Sequence, residues 1–242
     1  MKKYVIIIIL IFLSELSAFN LKENYLSLKS STFEYAELNK YPLLVSAGVL
    51  GSSFLFDRPI KNMVVHNQHK FMINFSDFTN NFGEQKLVIP GLALVGTYGL
   101  ISKDDKMYGT VKTSFESYFL AVGVNLATKF VVGRERPLGT DNQYDFHPFS
   151  INNKYNSFFS GHTTIAWSVF TPFALAYDNP YLYFIPISVN LASIYKNRHW
   201  LSDTLASTIV GFSSGYIIYH LNLDKNFKLN CALNSVNISY NF

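Results

Sequence analysis

Three short polar stretches of the chain combine the residue types that phosphate chemistry needs, and each stands beside an apolar segment. In the first, KFVVGRERP, Lys129 and Arg136 are seven residues apart. This spacing predicts that both cations lie on one face of a helix that Pro137 ends. Two such cations suit an anion with several oxygens. The alternative is a basic helix C-terminus that interacts only with the helix dipole.

The second stretch, SFFSGHTT, places Ser160, Gly161 and His162 at the predicted start of a helix. Such a start offers a hydroxyl and free backbone N–H groups to an anion, and glycine allows a close approach. His162 then stands where it could donate a proton. The alternative is an ordinary capping serine followed by a surface histidine.

The third stretch, SIYKNRHWLSDTLAS, separates His199 from Asp203 by four residues, with Arg198 directly before the histidine. A carboxylate at this spacing could bind one imidazole nitrogen, fix the tautomer and leave the other nitrogen free for attack. The alternative is a helix-start aspartate with an unrelated histidine nearby.

Taken in this order, the stretches resemble the motifs of the type 2 phosphatidic acid phosphatase, acid phosphatase and vanadium haloperoxidase superfamily. The family's Lys-x6-Arg-Pro motif matches at Lys129, Arg136 and Pro137. Its Pro-Ser-Gly-His motif matches at residues 160–162, where Phe159 replaces the proline. The resemblance covers about residues 90–221.

The family's third motif, Ser-Arg-x5-His-x3-Asp, matches only in part. His199 and Asp203 are present, but Ala192 and Ser193 stand where the family has Ser-Arg. The arginine missing at Ser193 would bind phosphate, so three outcomes are open: another cation replaces it, the enzyme is slow or selective, or the site binds phosphate without turnover.

The resemblance implies an all-α fold with a six-helix core bundle and a mechanism that needs neither metal nor cofactor. His199 would form a phosphohistidine, Asp203 would orient it, and His162 would protonate the leaving group and then activate water. The groups implied to bind the phosphoryl oxygens are Lys129, Arg136, Ser160 and the Gly161 amide. Arg198 and Arg134 are the candidates for the compensating cation.

Three functions therefore follow from the sequence. The first is a phosphatase acting on a phosphorylated lipid or on a small phosphate ester. The second is a catalytically weak or inactive relative that binds phosphate or a lipid headgroup. The third is a vanadate-dependent haloperoxidase that uses the same pocket. The mild net charge of +4, without a basic tail, argues against nucleic-acid binding.

Apolar segments at roughly 42–56, 87–101, 114–132, 162–177, 181–195 and 204–221 lack strand alternation, so they predict six helices. The region 57–86 has room for one further amphipathic helix. The tail, 222–242, is partly alternating and rich in Asn and Ser, which favours a short extended structure.

The N-terminus has two lysines, an apolar core and a polar stretch ending in small residues, as in a secretory signal peptide cleaved near residue 18. The alternative is an uncleaved membrane anchor. We therefore predict a signal peptide at 1–18, an N-terminal helical region at 19–86, a catalytic core at 87–221 and the tail. The location is the cell envelope, either secreted or periplasmic and lying against a membrane, or inserted in the inner membrane.

Overall fold

The computed structural model describes residues 48–223 and the backbone of residues 227–232 and 235–240. The α-helices, numbered in chain order, are α1 Asp57–His66, α2 Lys70–Asn80, α3 Gln85–Ser102, α4 Asp105–Val132, α5 Gly161–Ala176, α6 Phe184–Tyr195 and α7 Leu201–Leu223. Residues 48–53 are also helical, and 3-10 turns occupy Phe54–Phe56, Asn81–Gly83, Asn153–Tyr155 and Pro180–Tyr183. The predicted all-α helical bundle is confirmed.

Most predicted segments coincide with helices, and two differ in extent. The segment 114–132 forms only the later part of α4, which begins earlier because the carboxylate of Asp104 accepts the N–H of Met107 at 2.9 Å and caps the helix. The region 57–86 contains two helices, α1 and α2, rather than one. The predicted signal peptide lies outside the described residues.

Small residues allow the core helices to approach closely. α4 packs between α3 and α5, and α6 packs on α5 and α2. At Gly211 of α7, a Cβ atom would lie 2.6 Å from the carbonyl oxygen of Thr164 in α5. Between α4 and α5, the hydroxyl of Ser114 donates to the carbonyl oxygen of Val169 at 3.0 Å. These contacts fix α5 at the centre, flanked by the helices whose ends carry the polar stretches.

The end of α4 sets the path of the chain towards those polar stretches. Gly133 adopts a φ of +59°, and a Cβ atom there would lie 1.8 Å from the carbonyl oxygen of His147. Only glycine fits this left-handed position, so the helix ends at Val132. The prediction that Pro137 ends the helix is wrong, because the chain has already turned four residues earlier.

The C-terminal tail is extended where the sequence favoured extended structure. β1, Phe227–Ala232, and β2, Ser235–Tyr240, pair antiparallel, with Phe227 opposite Tyr240. These strands belong to a separate unit from the helical bundle. Among the described ranges, α4 is the helix whose length and apolar composition would allow it to cross a membrane.

Candidate active site

His199 lies in the loop before α7, and its side chain is only 5% exposed. Its Nδ1 lies 2.8 Å from the carbonyl oxygen of Ser157. Because a carbonyl can only accept, Nδ1 carries the proton and the lone pair is on Nε2. Burial lowers the pKa of His199 to about 4, so the ring is neutral near pH 7. A neutral imidazole with a defined tautomer is the form that a nucleophile needs.

Asp203, near the start of α7, reaches back to the backbone before the helix. Its Oδ2 accepts the N–H of Trp200 at 2.9 Å and the hydroxyl of Ser157 at 2.5 Å. The same oxygen lies 3.9 Å from Nδ1 of His199, which is too long for a hydrogen bond. The predicted direct bond between Asp203 and His199 is therefore wrong. Asp203 instead holds Ser157, and the Ser157 carbonyl holds the imidazole.

The other carboxylate oxygen of Asp203 binds Arg134, whose side chain is fully buried. Its guanidinium lies 2.6 Å from Oδ1 of Asp203 and 2.7 Å from Oδ2 of Asp57. It also donates to the hydroxyl of Ser202 at 2.7 Å and to the carbonyl oxygen of Gln143. These partners use the donors of the guanidinium. With its donors used in this way, Arg134 is a structural group. It is not the compensating cation that the sequence suggested.

Asp57, the first residue of α1, completes this buried cluster. Its Oδ1 accepts the N–H of Ser202 at 2.8 Å, and its Oδ2 accepts the Ser202 hydroxyl at 2.6 Å. Aromatic rings surround the Arg134 guanidinium at 4.9 to 5.5 Å, and they belong to Phe54, Phe146 and Trp200. The cluster joins α1, the loop after α4 and the start of α7.

Lys129 and Arg136 come together, although not by the predicted route. Arg136 lies in the loop beyond α4, so the two side chains do not share a helix face. Burial, followed by the charge of Arg136, lowers the pKa of Lys129 to about 7, and Asp203 opposes this shift. The Lys129 ammonium donates to the carbonyl oxygen of Asn156 at 2.5 Å. Two basic groups that act on each other, with Asp203 acting on both, suit the binding of an anion with several oxygens.

Arg198 adds a third cation to this group. Burial, followed by the charge of Arg198, lowers the pKa of Arg136, so the two side chains act on each other electrostatically. The backbone N–H of Arg198 donates to the carbonyl oxygen of Ser193 at 3.2 Å, and Asn197 has a φ of +52° in this turn. Across the part of the chain that the structure describes, its guanidinium has no hydrogen bond or ion pair.

Ser193, the residue that replaces the motif arginine, is buried at 2% exposure. Its hydroxyl lies 3.4 Å from the hydroxyl of Thr163 in the first turn of α5. Ser193 therefore packs beneath the start of α5, and its carbonyl helps to fold Arg198 back.

The start of α5 provides the helix N-terminus that the sequence predicted. The hydroxyl of Ser160 accepts the N–H of Thr163 at 3.5 Å, and the Ser160 N–H donates to the hydroxyl of Ser207 at 2.7 Å. At Gly161, a Cβ atom would meet no other group within 4 Å. The space beside the first N–H groups of the helix is therefore open to an anion.

His162 follows in the first turn of α5. Its Nε2 lies 3.1 Å from Oε2 of Glu84, the residue before α3. Burial and the charges of Arg198 and Arg136 lower the pKa of His162, and the Glu84 carboxylate opposes them. The same two arginines thus act on His162 and on each other, which brings the three predicted stretches into one site.

Three residues of this site were not predicted from the sequence, namely Asp57, Glu84 and Ser157. Each acts through a contact across the fold, and Asp57 is 145 residues from its partner Ser202. Glu84 stands directly before an apolar run, where an acidic residue is also an ordinary helix cap. No local pattern distinguishes such residues from surface residues.

The structure also brings together three possible metal ligands that sequence analysis did not connect. They are Glu135, Asp145 and His147, with ligand atoms within 4.8 Å of one another. The ammonium of Lys154 lies 3.0 Å from Glu135, and this pair neutralises the most buried of the three. We therefore interpret the cluster as an ion-pair network within the loop between α4 and α5.

Residues 111–227 match the family model described as the PAP2 superfamily. These residues form a domain of the PAP2 superfamily. The match includes all three polar stretches of the PAP2 site. No curated protein matches the chain.

Two solved structures share the PAP2 fold with this chain. LpxE of Aquifex aeolicus is 17% identical with a TM-score of 0.55, and the match covers 68% of this chain and 95% of that one. A transmembrane PAP2 type phosphatidylglycerolphosphate phosphatase from Bacillus subtilis is 16% identical with a TM-score of 0.56, and the match covers 78% of this chain and 96% of that one. At these identities the likeness establishes the fold.

We predict that Arg134→Met lowers the free energy of unfolding by about 3–5 kcal/mol, because two buried carboxylates lose their counter-ion. Arg136→Met serves as the matched control and changes that free energy by less than about 1 kcal/mol, since its guanidinium forms no ion pair with any residue that the structure describes. Urea unfolding of both variants, followed by circular dichroism, measures the difference. Equal losses in the two variants would contradict the structural role of Arg134.

Proposed function

We propose that this chain is a metal-independent phosphatase of the cell envelope that hydrolyses a phosphomonoester or diphosphate of a lipid through a phosphohistidine. The observation that carries the proposal is the state of His199. Its Nδ1–H is held by the Ser157 carbonyl, and its free Nε2 belongs to a site with three cations. Membership of the PAP2 superfamily, and the fold shared with a phosphatidylglycerolphosphate phosphatase, support the assignment.

In the first step, Nε2 of His199 attacks phosphorus and the bond from phosphorus to the leaving oxygen breaks. His162 transfers a proton to that oxygen, so the product leaves as a neutral alcohol, or as a phosphate from a diphosphate. The negative charge on the phosphoryl oxygens is stabilised by Lys129, Arg136 and Arg198, together with the N–H groups at the start of α5.

In the second step, the now neutral His162 takes a proton from water, and the water oxygen attacks phosphorus. The bond from phosphorus to Nε2 breaks, and inorganic phosphate leaves. The positive charge that His199 carries in the intermediate is stabilised by the nearby Asp203 carboxylate, whose Oδ2 is 3.9 Å from Nδ1. Both histidines return to their starting protonation states, so the cycle balances without a metal or a cofactor.

Exposed apolar side chains beside the cations favour a lipid over a small water-soluble ester. On the last turns of α4, Leu126, Phe130 and Val131 are 62%, 48% and 52% exposed, and Lys129 lies among them. Phe130 also packs edge-on against exposed Phe149, with ring centroids 5.6 Å apart. Acyl or prenyl chains of a substrate could lie on this rim while the phosphate reaches the cations. The predicted signal peptide and the apolar helix α4 are consistent with an envelope location.

We predict that His199→Ala lowers the hydrolysis rate by about 1,000-fold or more, because the nucleophile is lost. The assay uses p-nitrophenyl phosphate, phosphatidate and a polyprenyl diphosphate, each with EDTA present, and the wild-type rate does not depend on EDTA. His66→Ala, an exposed histidine, is the control and retains the wild-type rate. A His199→Ala variant as active as the wild type would overturn the assignment of the nucleophile.

We predict that Arg198→Gln lowers kcat/KM by about 100- to 1,000-fold, by analogy with the loss of an oxyanion donor. Lys196→Gln is the matched control, since Lys196 is a cation of the same loop whose ammonium pairs with Asp77. It changes kcat/KM by about twofold or less, as is usual for surface substitutions away from a site.

Ser193→Arg in the wild-type chain does not raise the rate, because Arg198 already supplies the charge and Ser193 is buried. A faster Ser193→Arg enzyme, or equal losses in the two loop variants, would refute the compensation.

A further inference from the structure

Glu84 touches the candidate general acid from a part of the chain that none of the three motifs includes. Its Oε2 lies 3.1 Å from Nε2 of His162, and both side chains are partly exposed. Because a carboxylate can only accept, Nε2 carries a proton in this contact. The nitrogen left to exchange a proton with a substrate is then Nδ1.

The backbone around Glu84 makes this contact rigid. Gly83 is buried, and a Cβ atom there would lie 2.3 Å from the carbonyl oxygen of His162 and 2.8 Å from its Cα. The 3-10 turn Asn81–Gly83 therefore rests directly on the first turn of α5. Phe82 of the same turn packs edge-on against Phe170 of α5, with centroids 6.2 Å apart. The separation of Glu84 and His162 is set by this backbone contact.

The two histidines of the site are held by partners of different charge. The Nδ1–H of His199 meets a neutral carbonyl, whereas the Nε2–H of His162 meets a carboxylate. A carboxylate stabilises imidazolium far more than a carbonyl does. The difference matches the two roles, because a nucleophile must be neutral and a general acid must carry a proton.

Several charges act on His162 from the elements around it. Arg198, from the loop before α7, and Arg136, from the loop after α4, disfavour the protonated ring, as does burial. Glu84 favours the protonated ring. The hydrogen bond with His162 also holds the pKa of Glu84 below its ordinary value, as expected for an ion pair.

We propose that Glu84 is a positioning residue that binds Nε2–H of His162, directs Nδ1 towards the leaving oxygen and makes the ring easier to protonate beside the two arginines. The role rests on the proposed function of His162 as general acid. Glu84 and His162 then form a carboxylate–imidazole pair on the leaving-group side of the site. This pair favours a protonated ring, whereas the carbonyl bound to His199 favours a neutral one.

The direct test is the titration of His162 by NMR in the full chain, with its ring signal assigned by comparison with His162→Gln. Glu84→Gln keeps an acceptor oxygen but removes the charge, so we expect the pKa of His162 to fall by about one unit. Asp105→Asn is the matched control. It removes an exposed carboxylate 24 residues before Lys129 on α4, about 36 Å along the helix from the site. An unchanged His162 pKa in Glu84→Gln overturns the proposal.

Kinetics separate positioning from general structural damage. Glu84→Gln should lower kcat about 10- to 100-fold on an alkyl phosphate, whose poor leaving group needs a proton. On p-nitrophenyl phosphate, a good leaving group, the loss should be several-fold smaller, and KM should stay near the wild-type value. Equal losses on both substrates would refute the role.

The two assays distinguish failure of this inference from failure of the proposed function. If the wild type hydrolyses no substrate and the His162 pKa still falls in Glu84→Gln, the pairing stands and the phosphatase assignment fails. If the wild type is active and the variant shows neither the pKa change nor the leaving-group dependence, the positioning role alone is refuted.

Discussion

A single buried guanidinium, that of Arg134, holds two carboxylates, and the candidate site depends on this arrangement. Asp57 and Asp203 both lie within 2.7 Å of it, and all three side chains are fully buried. Burial of charge is costly, so such a cluster persists only with complete hydrogen bonding. The Ser202 and Trp200 N–H groups supply the additional donors. None of these three side chains can move without leaving a charge unpaired in the apolar interior. The cluster therefore fixes the first turn of α1 relative to the first turn of α7.

The proposed nucleophile, His199, takes its position from this cluster through one intermediate residue. Asp203 binds the hydroxyl of Ser157, and the carbonyl of Ser157 binds His199. Burial opposes ionisation of Asp203, but the His199 ring and Arg134 hold the pKa of Asp203 below its ordinary value. The cations proposed to bind phosphate are different ones, and among the described residues none of them forms an ion pair with a carboxylate. Arg134 and Arg136 are two positions apart in the sequence, yet one is part of the core and the other remains available to phosphate.

The sequence predicted the helices well, because they rest on local patterns. Long apolar segments with small residues indicated the bundle, and the three motifs indicated the site that the fold assembles. The predictions that were wrong assumed regular helix where the backbone turns. Gly133 ends α4 before Arg136, and His199 precedes α7, so neither the seven-residue nor the four-residue spacing acts through a helix face.

Other parts of the site could not be predicted, since they depend on contacts between distant residues. The charge on Arg134 looked available because its partner Asp57 is 77 residues away in the sequence. Glu84 contacts His162, which is 78 residues away in the sequence. This contact forms because the turn before Glu84 packs at Gly83 against the backbone of His162. Arg198 was recognised as a candidate from its place beside His199, but the turn that folds it towards the site forms through the carbonyl of Ser193.

The most direct test of the central claim is to trap the covalent intermediate. Enzyme mixed with labelled substrate, quenched in base within one turnover and digested, can be searched by mass spectrometry and ³¹P NMR for a base-stable, acid-labile phosphate. We expect phosphate on Nε2 of His199, and none in His199→Ala. Substrate turnover with no phosphorylated histidine, or with phosphate on a different residue, would contradict it.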